Sequence, residues 1–127
     1  MSELAPSILS ADFMHLGEQL HTLEESGLKV LHVDVMDGVF VPSISFGMPV
    51  IKSIRTGCQM MFDVHLMIKE PARYIKEFVE AGADSITVHV EACSDIGETI
   101  TVMKQYPVKR ALSVNPGTDV NVLMPYL

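Results

Sequence analysis

The sequence has no tryptophan, only two cysteines, and no stripe of basic residues. Nine Lys and Arg stand against sixteen Asp and Glu, a formal net charge of -7. Nucleic acids and anionic membrane surfaces are bound through concentrated positive charge, so neither is an expected partner. An anionic substrate would have to be held by local dipoles or by a metal. No apolar run approaches the length needed to span a bilayer, and the opening MSEL lacks the basic start and apolar stretch of a secretory signal. A cytoplasmic location is expected. Cys58 and Cys93 lie far apart with no CxxC spacing, which suits reduced thiols used as small apolar groups and excludes a disulfide framework or a zinc knuckle.

What is present is the composition of a folded chain, 48% apolar and 20% charged, with no low-complexity segment. Apolar strands alternate with amphipathic helices at a repeat of about 25 to 30 residues, the spacing of successive strand-helix units. The predicted strands are LAPSILS (4–10), VLHVDV (30–35), MFDVHLM (60–67, with the preceding Met), SITVHV (85–90) and VKRALSV (108–114). Helices are expected over 12–26, near 49–54, from Pro71 to Gly82, over about 94–105, and starting before Leu127. Phe13, Leu16, Leu20 and Leu23 fall on one face of the first, and Tyr74, Ile75, Phe78 and Val79 are expected to face inward in the third. SGLKVLHVDV and AGADSITVHV form a weak internal repeat, a small residue and glycine leading into an alternating strand. No linker or composition shift divides residues 1–127, so a single domain is expected.

Short connections between helix and strand require parallel strands with right-handed crossovers. An open doubly wound sheet would have helices on both faces and near-continuous apolar strands. Here every strand has one apolar and one partly polar face: Val33 and Val35 against His32 and Asp34, Val64 and Leu66 against Asp63, His65 and Met67, Ile86 and Val88 against Thr87 and His89. A barrel fits better, because its inner face gathers polar groups toward a ligand at the C-terminal mouth. The fold class is α/β, a (β/α)8 barrel type represented by about five strand-helix units.

His32, Asp34 and His65 would project into one space from two adjacent strands, as two imidazoles and a carboxylate suited to a divalent metal. A hydrogen-bonded polar layer is the competing account of any one of these histidines. Asp63 suits an orienting partner to a ligand or a simple lumen pair. Asp37, in MDG, reads as a turn residue, His89 as a packed lumen residue, and His15 and His21 as surface groups.

APSILSAD (5–12), HVDVMDGVFVPSISFG (32–47), DVHLMI with Pro71 and Tyr74, AGADSITVHVEA (81–92) and NPGT (115–118) together resemble the ribulose-phosphate 3-epimerase family, in order along the chain. The resemblance implies a metal-dependent (β/α)8 barrel isomerase that interconverts D-ribulose 5-phosphate and D-xylulose 5-phosphate in the pentose phosphate pathway. It implies metal ligation by His32, Asp34 and His65, with Asp34 also one of two acid/base catalysts. It further implies substrate contacts from Ser7 and His65 and an apolar shield from Met36 and Met67. Zinc is the expected metal, with manganese, iron or cobalt as alternatives.

The family's second catalytic aspartate, also a metal ligand, lies in a DGG-type motif on a later strand, and its glycine-rich phosphate loops follow later strands still. Residues 1–127 correspond to the first five of eight strands, so two open sheet edges and self-association, or pairing with a complementing fragment, are expected. Two further alternatives follow: a catalytically incomplete barrel fragment that only binds metal or assembles, and an epimerase for a hexulose phosphate.

Overall fold

The structure, a computed structural model, describes residues 3–127. Four strands form one parallel sheet in sequence order: β1 (Val30–Met36), β2 (Met61–Met67), β3 (Ser85–His89) and β4 (Lys109–Ser113). Helices α1 (Leu16–Glu25), α2 (Met48–Arg55), α3 (Ile75–Ala81) and α4 (Ile96–Met103) alternate with them. This is the succession expected of a partial (β/α) barrel.

The strand expected over 4–10 is reduced to one parallel bridge, Ser7 to His32. Proline has no N–H to continue a ladder, and at Pro6 only the carbonyl is used, accepting from His32 N at 2.9 Å. The Ser7 side chain then accepts from Leu9 N and starts a 3-10 turn, Ile8–Ser10, that ends the extended run. The bridge still fixes Ser7 beside His32.

The core lies between the sheet and the helices. Leu31, Val33 and Val35 of β1, Phe62, Val64 and Leu66 of β2, and Ile86 and Val88 of β3 are buried against Leu20, Ile51, Ile75, Phe78 and Met103. Full burial of such a side chain contributes roughly 1.5–3 kcal/mol, so the alternation of these strands dictates which face meets the helices. Two expected inward residues lie elsewhere. Phe13 precedes α1 in a 3-10 turn capped by Asp12, is 53% exposed, and meets only the edge of Phe46, ring centroids 5.7 Å apart. Tyr74 sits at the junction between the 3-10 turn Pro71–Arg73 and α3, and is 37% exposed. In both cases the helix begins later than apolar spacing suggests, so the residue lies before the regular turn.

The internal repeat is visible as a repeated helix stop. Gly27 and Gly82 take φ of 84° and 120°. Leu28 N bonds Leu23 O after the first, and Ala83 N bonds Phe78 O after the second, which closes each helix and aims the chain into a strand. Both cysteines are free thiols, with Cys58 buried and Cys93 half-buried. No helix among the described residues is long and apolar enough to cross a membrane.

Candidate metal centre

The same alternation that buries Val33 and Val35 leaves His32, Asp34 and Met36 on the opposite face of β1. The register places His32 beside Asp63, Asp34 beside His65, and Met36 beside Met67. Adjacent strands are about 4.8 Å apart, so side chains from paired positions on one face converge. One donor atom from each of His32, Asp34 and His65 lies within 4.8 Å of the others.

His32 Nε2 is 3.1 Å and His65 Nδ1 3.2 Å from the same carboxylate oxygen, Asp34 Oδ1. The Ser7 hydroxyl donates to the other oxygen, Oδ2. His32 Nδ1 faces Asp63 Oδ2 at 2.9 Å. Asp63 is thus paired with His32, the contact that either of its expected roles requires, and an imidazole whose far nitrogen donates to a carboxylate presents its other lone pair in a defined direction. Burial opposes ionisation of Asp34. The Ser7 hydroxyl, the charge of His32 and the hydrogen bond and charge of His65 outweigh it and hold the carboxyl below its ordinary value.

Two nitrogens and one oxygen facing a common point form a borderline donor set that suits a divalent transition metal. The site thus fits the cation expected of it. Met36 and Met67, half-buried, stand side by side one residue pair nearer the C-terminal mouth.

Other singled-out residues fall outside this cluster. Asp37 Oδ1 accepts from Val39 N at 2.8 Å and Phe40 N at 2.9 Å, and Oδ2 from Lys69 N at 2.7 Å, so it is a turn residue that also ties the loop after β1 to the end of β2. His15 pairs with Asp12 and His21 with Glu25, both exposed on or beside α1.

His89 is more than a packed lumen residue. At 7% exposure it stacks on His65 with ring centroids 4.9 Å apart, and the two Nε2 atoms are 2.7 Å apart. Phe40 covers its ring, centroids 5.2 Å apart. Burial, and then the neighbouring His65, lower the pKa of His89 and favour its neutral form. Glu91, in the turn after β3, approaches the far nitrogen, with Oε2 3.7 Å from His89 Nδ1. Sequence reasoning passed over Glu91. Its signal was the parity of HVE, which sets His89 and Glu91 two residues apart.

The sequence pattern of the ribulose-phosphate 3-epimerase family matches residues 3–127. Among curated relatives, the ribulose-phosphate 3-epimerase of Bacillus subtilis is 46% identical over 123 residues, 97% of this chain and 57% of its own length. That of Aquifex aeolicus is 43% identical, over 97% of this chain and 55% of its own, and that of Treponema pallidum is 45% identical, over 98% and 57%. The chain therefore spans a little over half the length of the curated relatives it matches. With strand order and family pattern in agreement from residue 3 onward, the chain belongs to the ribulose-phosphate 3-epimerase family.

Proposed function

We propose that this chain takes part in the epimerisation of a phosphorylated ketose, interconverting D-ribulose 5-phosphate and D-xylulose 5-phosphate by proton transfer at the carbon beside the ketone. The observation that carries it is the convergence of His32 and His65 on one oxygen of Asp34, on the C-terminal side of a parallel sheet. His32, Asp34 and His65 would hold the cation, zinc first, with manganese, iron or cobalt as alternatives. When bound, such a cation supplies Lewis-acid stabilisation of the negative charge that develops as the carbon proton leaves.

Asp34 takes that proton. Its partners keep it ionised, so it is ready as a base, and the Ser7 bond restrains the carboxylate plane. Ser7 also lies where its hydroxyl can meet the substrate, and Met36 and Met67 supply an apolar wall that keeps water from the enediolate. Inversion requires a second acid on the opposite face of the carbon. Among the described residues Asp63 is engaged with His32, and Glu91 lies beyond His89. We therefore place the second acid outside residues 1–127, and the outer edge of β4, last in the sheet order, is where a further strand or a second copy would pair. A cytoplasmic location suits a phosphorylated substrate.

The test is proton NMR of ribulose 5-phosphate in D2O with the chain and zinc, following deuterium entry at C3 and formation of xylulose 5-phosphate. Exchange with inversion is the expected result of a completed site. Exchange without inversion identifies a chain that supplies one face only. No exchange at C3 defeats the proposal, and exchange confined to a hexulose phosphate would move it to that substrate.

A further inference from the structure

Two imidazoles, His65 and His89, run in a line between the carboxylates of Asp34 and Glu91, and only the first part of that line belongs to the metal centre. His65 Nδ1 faces Asp34 while its Nε2 faces His89 Nε2. His89 Nδ1 and Glu91 Oε2 are buried and lack hydrogen-bond partners among the described residues, although they face each other at 3.7 Å. Buried polar atoms are nearly always paired, so two unpaired atoms at this distance mark a contact that closes with a small side-chain movement.

Building on the metal-centre reading, we infer that Glu91 and His89 are positioning residues that set the tautomer of His65, keeping its proton on Nε2 and its Nδ1 lone pair directed at the cation.

The direction of each proton follows from the far end. The Asn115 N–H donates to Glu91 Oε1 and anchors the carboxylate; burial opposes its ionisation, but the polar groups of this turn outweigh it and hold its pKa below the ordinary value. An ionised oxygen accepts only, so the atom facing it, His89 Nδ1, must carry a proton. His65 Nδ1 is the nitrogen aimed at the metal centre, so its Nε2 is the one left to hold a proton, and His89 Nε2, 2.7 Å away, is the acceptor. Two bare nitrogens at 2.7 Å would repel, so His65 Nε2 must be the protonated one. Nδ1 of His65 is left as the ligand atom, on the side where Asp34 lies. The opposite tautomer of His65 would point a lone pair at His89 and reverse every bond in the line, leaving an imidazole lone pair against the Glu91 carboxylate. The NPGT turn thereby acquires a role: its backbone fixes the carboxylate that begins the relay, with the turn itself closed by Thr118 N to Asn115 O at 2.9 Å.

The test is the long-range proton–nitrogen NMR spectrum of the imidazoles in the full chain loaded with zinc, with zinc affinity measured alongside by competition with a chelator. The expected pattern is zinc on His65 Nδ1, a proton on His65 Nε2, and a proton on His89 Nδ1. His89→Gln, whose amide oxygen can still accept from His65, should hold zinc within about threefold of the unaltered chain, whereas His89→Leu should weaken it about 10- to 100-fold. Zinc on His65 Nε2, a proton on His89 Nε2, or equal zinc affinity in the Leu and unaltered chains would each overturn the relay while leaving the metal centre intact. Failure of the unaltered chain to bind zinc would remove the metal centre itself and the relay with it. Should His89→Leu fail to fold, the tautomers of the unaltered chain decide the matter alone.

Discussion

The two ends of the sheet both carry buried or half-buried charge, and they use it in opposite ways. At the floor, where strands begin, Arg55 donates to the carbonyls of Cys58, Met60 and Gly82 and to Asp84 Oδ2, with its guanidinium 3.7 Å above the Phe62 ring. Asp84 Oδ2 also accepts from Phe62 N at 2.8 Å. Donors and acceptors there satisfy one another, which is the requirement for a charge that only holds elements together. At the mouth, where strands end, His32, His65 and His89 crowd around Asp34 and Glu91, two nitrogens compete for one oxygen, and two buried atoms stay unpaired. A cluster that cannot satisfy itself has capacity left for a ligand. The contrast makes the mouth the candidate site without reference to any relative.

The sharpest way to break the contrast is at Asp34. Asp34→Asn keeps the shape but loses the ionised base and one metal donor, and C3 deuterium exchange should fall about 10²- to 10⁴-fold with the circular dichroism of the fold unchanged. The converse at the floor is Arg55→Met, which keeps the stem over Phe62 and strips hydrogen bonds from three carbonyls and from Asp84. Urea denaturation should show a loss of about 2–4 kcal/mol, while zinc affinity stays the same. If Arg55→Met weakened zinc as strongly as it weakened the fold, the division between the two ends would be wrong.

Gly82→Ala probes the same floor more gently. A Cβ there would collide with Arg55 Cδ, at a backbone φ of 120° that side chains avoid. A cost of about 1–2 kcal/mol is expected in the same denaturation series, with no change in metal binding. The smallest effect belongs to Asp37, whose turn lies on the mouth side. Burial opposes its ionisation, but the N–H groups of Lys69, Val39 and Phe40 outweigh it and hold its pKa below the ordinary 3.8. A depressed folded-state value means stability that is present above 3.8 and is lost as pH falls through the lower folded value. Amide hydrogen exchange at Val39 and Lys69 should therefore quicken below that pH, and Asp37→Asn should remove the step.

Much of this was legible in order of residues. LHVDVM and MFDVHLM alternate strictly, so His32 and Asp34 share one face of β1 and Asp63 and His65 one face of β2, each opposite the apolar residues that meet the helices. The glycines at 27 and 82 announced helix stops, and Pro71 a helix start, because each restricts the backbone locally. The first strand was less legible. Its apolar letters suited extension, but a strand needs ladder partners, and the Pro6 ring together with the Ser7 cap left one bridge. His89 and Glu91 were the least legible, since histidine and glutamate on a strand end look alike whether they are solvated, packed or joined to a site.

The sequence by itself determined the strand-helix succession, the polar inner face and which histidines and aspartates stand on it, because side-chain alternation and helix stops are local properties of the chain. Only the tertiary structure decided that Asp34 pairs with His65 rather than with a residue one step away, that Ser7 and Asp63 hold Asp34 and His32 in place, and which nitrogen of each imidazole faces the cluster. Those are matters of register and distance between strands roughly thirty residues apart, and a period of two along one strand carries no information about its neighbour's phase.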